Sequence, residues 1–593
     1  MTNTSYVQGP WSLRELFSGL DAPEIQKEIG ELEQQVQAFE ALRPRLSPAL
    51  VEKDFAAAVG AYDALLRKLS RLDGFAELSF AEDTQDPKVQ SLHARMQQLG
   101  AETANRTLFF QLWWKALDDA VAARLLAAGG DFRYWLEALR LQKPYTLSEA
   151  EEKVINLKDV NGSAALVTLY DSITNRYTFT LAVDGEKREL MREELQVHFR
   201  SPRPEMRAAA YQELYRVYAQ DAGILSQLYQ YRVRDWRSEN VRLRGFASPI
   251  AVRNLANNIP DDVIDTLLEL CRSNAGIFQR YFTLKAKTIG VDRLRRYDLY
   301  APVAGTEKTY AYGEAVELVL ESFRRFVPKV ADLAKKVFEE NHIDSEGRRG
   351  KRSGAFCATV GPDYTPWLSQ TFKGKPEDVA TLAHELGHAV HSLMAGEHSL
   401  LTQHAALPLA ETASTFGEML LVDRLLELDP ATDVRRTLLF REMDNHYATI
   451  LRQAYFALFE RQAAEIIDQG GTVEDLSTAY QANLREQFGA SIELSDDFRH
   501  EWLAIPHFHH APFYVYAYTF GELLVLSLYQ QYQREGEAFK PRYLQILAAG
   551  GSDSPENILR RAGIDMRSAA FWQGGFDVVE ASLGKLQALE AAR

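Results

Sequence analysis

Cysteine is nearly absent from this chain: 593 residues hold only Cys271 and Cys357. Two thiols cannot build a disulfide framework, and their separation is no metal-knuckle spacing, so each is expected as a buried structural thiol. Long apolar runs are missing too, which excludes a membrane-spanning helix. The most apolar stretch, Ala511 to Tyr529, carries Glu522 and four tyrosines and reads as a core helix. The opening Met1-Thr2-Asn3-Thr4-Ser5-Tyr6 lacks the basic and apolar segments of an export signal, so the cytoplasm is the expected location. No large block of one charge sign occurs. The 67 basic and 82 acidic residues are mixed along the chain, and the net charge of −15 argues against a nucleic-acid partner. No fixed-period repeat is evident. Gly550-Gly551 lacks the lysine of a phosphate loop and is expected as a turn between helices.

What is present is mostly helical spacing. Residues 23–42 and 48–72 predict an amphipathic pair, and 86–128 continues helically with Phe109, Phe110, Trp113 and Trp114 as anchors. Strand-like sequence from Leu166 to Leu190, with turns near 172–175 and at Asp184-Gly185, predicts a small hairpin on a helical body. Pro202 and Pro204 punctuate the passage to a second region, so an N-terminal helical region 1–200 and a catalytic region 201–593 are expected. Helix resumes over 207–218, 261–288 and 432–467. With 46% hydrophobic residues, the chain can bury a core of several helical layers in two or more lobes.

One motif bears on chemistry. His384-Glu385-Leu386-Gly387-His388 lies where Pro376-Glu377-Asp378 opens a helix and Gly396 closes it. Val379, Leu382, Leu386, Val390 and Leu393 form its buried stripe, and the two histidines stand off that stripe. Imidazoles four residues apart share a helix face and can hold one metal ion; Glu385 can then take a proton from a metal-activated water. A third ligand is expected from the helical stretch 408–428, where Glu411 and Glu418 lie two turns apart on one face. Glu411 is assigned as ligand and Glu418 as hydrogen-bond partner of a ligand imidazole; spacing alone admits the reverse. His391, one turn beyond His388, is expected as a neighbour of the site and not a ligand. Upstream, Trp367-Leu368-Ser369-Gln370-Thr371-Phe372 alternates like a strand closed by Gly374. It is expected as an edge strand that pairs with the backbone of an extended peptide, with Cys357 just before it.

The stretches Ala383-His384-Glu385-Leu386-Gly387-His388-Ala389-Val390-His391 and Glu411-Thr412-Ala413-Ser414-Thr415-Phe416-Gly417-Glu418 give the chain a family likeness. So do Tyr297 to Pro302, Ile505-Pro506-His507-Phe508, Phe513-Tyr514-Val515-Tyr516 and Ala549 to Asp553. Together they resemble the oligoendopeptidase F branch of the thimet-oligopeptidase family of zinc peptidases. The resemblance supports Glu411 as third ligand. It implies one zinc ion per chain, held by His384, His388 and Glu411, with Glu385 as general base. It also implies a mostly α-helical zincin-type fold with two helical lobes around a deep channel and a small β element near the zinc. Such a channel suits internal cleavage of short unstructured peptides. A histidine and a tyrosine of the 505–520 segment should face the substrate: His507, with Tyr516 first and Tyr514 next. Position 509 departs from the pattern, with His where Tyr is common. A related helical zinc carboxypeptidase or dipeptidase acting at peptide ends is the alternative, and would need a charged anchor such as Arg441, Arg452 or Arg499. A non-catalytic peptide-binding scaffold is disfavoured because no motif residue is lost. The sequence fixes no oligomeric state; a monomer is the default expectation.

Overall fold

The computed structural model describes residues 6–303 and 308–592. The Met1–Ser5 stretch, read above for an export signal, lies outside them. Helix dominates, and the chain divides into two compact units. The first combines Met1–Lys143, Glu307–Pro430 and Gln531–Asp565; the second combines Pro144–Thr306, Ala431–Gln530 and Met566–Arg593. The division expected at residue 200 thus falls within the second unit. Among the described residues, no helix is long and apolar enough to cross a membrane.

In the first unit, helix Pro23–Glu40 packs on helix Glu52–Glu82 through Ile25, Leu32, Val36 and Phe39. The Asp86 carboxylate accepts a hydrogen bond from the Lys88 amide and starts helix Pro87–Ala116. Of that helix's four expected aromatic anchors, Phe110 and Trp114 are fully buried, while Phe109 and Trp113 pack at the edge of the core. The motif helix spans Pro376–Met394. Proline sits in its first turn, and the Asp378 carboxylate accepts from the Lys373 and Lys375 amides at 2.8 and 2.9 Å. Val379, Leu382, Leu386 and Val390 line its buried face as the 3.6-residue period requires.

A three-stranded sheet lies beside this helix in the order Ile343–Asp344, Trp367–Ser369, Phe356–Ala358. The strand expected at the edge, Trp367–Ser369, is therefore the central one, and all three of its residues are buried. Phe356–Ala358 is one of the two edge strands, antiparallel to it with Cys357 opposite Leu368. Alternation identified a strand but not its place, because burial on both faces is a property of the assembled sheet.

In the second unit, the hairpin forms between Phe179–Val183 and Glu186–Leu190. Phe179, Leu181 and Val183 point inward, and the two-residue turn Asp184-Gly185 has φ of 53° and 87°. This is the left-handed pair that a tight hairpin needs. The earlier part of the expected strand region differs: Ser163–Thr174 is helix, with Tyr170 and Thr174 buried four residues apart on one face. Helix Pro204–Gln220 follows, and its buried Arg207 meets Asp298 at 2.8 Å. Arg296 and Glu501, also buried, pair at 2.7 Å.

Candidate active site

Two glycines explain how the site is assembled. A Cβ on Gly387 of the motif helix would lie 2.5 Å from both the Ala413 carbonyl oxygen and the Ser414 Cα. One on Gly417 would lie 3.1 Å from the Ala383 carbonyl oxygen. The motif helix therefore packs backbone to backbone against helix Ser414–Leu428 and the turn before it. The expected single helix over 408–428 is broken there: Leu407–Ala410 is a short helical turn, and Glu411 follows it as the chain turns. Tyr543 holds this turn, its hydroxyl donating to the Thr412 carbonyl at 2.9 Å.

That close approach brings three side chains to one point. His384 Nε2 lies 3.2 Å from His388 Nε2, and Glu411 Oε2 lies 3.4 and 3.5 Å from the two. Ligand atoms at zinc distances around a tetrahedral ion are about 3.3 Å apart, so the residues present fit a zinc ion. The partners of each ligand support this. Glu418 Oε1 accepts from His384 Nδ1 at 2.6 Å, which orients Nε2 toward the triangle. Ser414 donates to Glu411 Oε2 at 2.7 Å, a contact that motif reading did not anticipate. His388 is hydrogen-bonded to the Ala410 carbonyl. Burial works to lower the His384 pKa, but the Glu418 hydrogen bond and the surrounding carboxylates raise it to about 9. A field that holds a proton there also favours a divalent cation.

Glu385 is buried beside the triangle, and burial pushes its carboxyl up to about 7. It opens on a cavity of about 410 Å³ that is also lined by Phe356, Cys357, His384, His388 and His404. The Cys357 thiol, on the edge strand, is held well above its ordinary pKa by burial and by Glu385. His391 is buried, bonded to the Ala410 carbonyl, and lowered to about 4 by burial. It supports the Glu411 turn from outside the ligand triangle. Gly550-Gly551 is a turn, as expected, and lies on this loop system: the Gly551 amide donates to the Thr402 carbonyl at 2.8 Å.

The other expected residues belong to the second unit. His507 is on the short helix Pro506–His510, and its Nε2 lies 3.4 Å from the Tyr518 hydroxyl. The Tyr514 ring meets Tyr518 edge-on at 5.4 Å. Tyr516 departs from the expectation. It is fully buried, and its hydroxyl accepts from Asn257 at 2.9 Å, with burial raising its pKa. Tyr514 precedes the helix Tyr516–Glu535, and the chain bend at Phe513, with φ of 56°, sets its ring against Tyr518 while Tyr516 faces the core, a placement that helical spacing does not give. His509 is buried against Tyr170 at 3.8 Å, and His510 pairs with Asp171 at 2.7 Å. Of the arginines considered as terminal anchors, Arg452 is engaged by Glu501 at 3.5 Å and Arg499 by Glu474.

Comparisons with known proteins agree with this geometry. The model of Peptidase family M3 matches residues 197–578, and that of Oligopeptidase F matches residues 113–179. Group B oligopeptidase PepB of Streptococcus agalactiae is 28% identical over 536 residues, covering 89% of this chain and 88% of that protein. A solved structure from Chlamydophila abortus, 24% identical, covers 98% of each chain with a TM-score of 0.87. Oligoendopeptidase-F from Enterococcus faecium, 23% identical, covers 96% of this chain and 99% of that one with a TM-score of 0.72. The chain belongs to peptidase family M3, in its oligoendopeptidase F branch, and is a peptide-cleaving metalloendopeptidase.

Proposed function

We propose that this enzyme is a zinc-dependent oligoendopeptidase that cuts internal bonds of short, unstructured peptides, working in the cytoplasm in peptide recycling. The ligand triangle of His384, His388 and Glu411 beside the buried Glu385 carries the reading. One zinc ion held there would acidify water and polarise the scissile carbonyl. Glu385 takes the proton from the attacking water and delivers it to the departing amine. Its carboxyl, raised by burial, suits a base working near neutral pH, and a cation in the triangle draws it back down by Coulomb attraction. Glu418 and Ser414 keep His384 and Glu411 in their ligand orientations.

The edge strand Phe356–Ala358 lines the same cavity as the triangle. A peptide adding to that edge would present successive carbonyls along it, which makes internal cleavage the natural outcome. From the family resemblance we assign His507 and Tyr514 as donors to the carbonyl oxygen as it gains charge. Tyr518 joins them because its hydroxyl is beside His507. Tyr516 is assigned to support of this segment.

Metal removal tests the proposal. Exhaustive chelation should abolish cleavage of a model peptide, and added zinc should restore it. Full activity in protein shown to be metal-free would overturn the reading.

A further inference from the structure

A second histidine–carboxylate group lies in the first unit, outside the motif. Glu15, Glu340 and His342 each offer a ligand atom, and these atoms all fall within 4.8 Å of one another. The anchor is His342, only 2% exposed and stacked on Trp367 with ring centres 3.9 Å apart. Its Nδ1 lies 2.8 Å from the Thr365 carbonyl oxygen. A carbonyl only accepts, so Nδ1 carries the proton in that bond. Nε2 is left facing Glu15 Oε2 at 3.2 Å.

Two lone-pair carriers at that separation repel unless something positive joins them. One solution is a second proton on the ring. A ring only 2% exposed is a poor place for that charge. The other solution is a cation. The separation matches the roughly 3.3 Å between ligand atoms of a tetrahedral zinc site, as in the catalytic triangle. A carbonyl fixing the far nitrogen is also the usual support of a metal-binding histidine.

The backbone that carries these donors is tied together. The Ser12 amide donates to the Asn341 carbonyl at 2.7 Å, and Trp367 Nε1 donates to the Ser12 carbonyl at 2.9 Å. Glu340 and His342 flank Asn341 in the chain, and Glu15 follows three residues after Ser12. The carboxylates of Glu15 and Glu340 are exposed and can close on an ion without rebuilding the core.

We propose that Glu15, Glu340 and His342 form a second divalent-metal site, which takes zinc or a similar transition metal and fastens the N-terminal segment to the sheet beside the motif helix. One nitrogen and two carboxylates, with water completing the shell, favour zinc, cobalt or manganese over calcium, which takes oxygen alone.

The test is zinc content after equilibrium dialysis of the full chain, read by elemental mass spectrometry. Wild type should hold two ions per chain at saturating zinc. Glu15→Gln with Glu340→Gln, both surface positions, should lower this to one while peptide cleavage persists. His384→Ala with His388→Ala should also lower it to one, and combining both pairs should lower it to none. In the cleavage-dead pair, added zinc should still raise the thermal midpoint, and that rise should vanish when the Gln pair is included. One ion in wild type would overturn the proposal and leave His342 as a protonated partner of Glu15. An unchanged count in the Gln pair would overturn it equally. The catalytic reading stands or falls separately, on the His384 and His388 variants.

Discussion

Each group at the ligand triangle is set by a second bond, so single changes should separate binding from chemistry. Glu385→Gln leaves the three proposed ligands in place and removes the proposed base; turnover should fall by about 10²–10⁴-fold with metal content unchanged. Near-normal turnover would remove Glu385 from the base role. Glu418→Gln should instead weaken metal affinity by about 10–100-fold, measured by competition with a chelator, because His384 Nδ1 loses its charged acceptor. The tyrosines divide by burial. Tyr514→Phe should lower kcat with little change in KM, whereas Tyr516→Phe should cost about 1–3 kcal/mol of stability by leaving Asn257 unpaired. Reversed effects would restore Tyr516 to the substrate. The meeting of His384 and His388 was legible because a helix has one period and sets residues four apart on one face. Ser414 was not, since a hydroxyl carries no pattern until the chain turn places it beside Glu411.

The same logic holds for whole elements. The motif helix was readable from Pro376 to its end, since cap, stripe and stop all lie in local sequence. The break at Glu411 was not, because it depends on a turn lying against Gly387 of another helix. Gly387→Ala should therefore push on the Ala413–Ser414 backbone and displace Glu411. A stability loss of about 1–3 kcal/mol is expected from the overpacking, together with weaker metal binding. Wild-type metal affinity in a folded Gly387→Ala protein would show that the turn moves freely. Sheet order was equally hidden: residues 367–372 read as an alternating strand, but only assembly puts Trp367–Ser369 in the centre and Phe356–Ala358 at an edge. Residues 166–174 are rich in small, apolar and β-branched types, which suit either state in isolation. Packing of Tyr170 on His509 goes with the helix.

At the scale of the whole molecule, buried titratable groups govern the pH range of stability. His509 is fully buried, its ring nitrogens have no hydrogen-bond partner among the described residues, and burial lowers its pKa to about 3. The unfolded chain protonates this ring near its ordinary value while the folded chain does not. Its contribution is thus complete above about pH 6.5 and is lost as pH falls toward 3. His509→Phe, which can keep the stack on Tyr170, should move the acid-unfolding midpoint to lower pH; an unmoved midpoint would show that other groups set it. The fold class was legible from helical spacing and family likeness together. The two compact units were not, because each gathers three separated stretches of chain. The most direct measurement is digestion of short peptides blocked at both ends by the zinc-loaded enzyme, with products read by mass spectrometry and Glu385→Gln as control. Internal cuts by wild type and silence from the metal-loaded variant are expected. Cuts confined to peptides with free ends, or a variant that cuts as fast as wild type, would contradict an oligoendopeptidase working through Glu385.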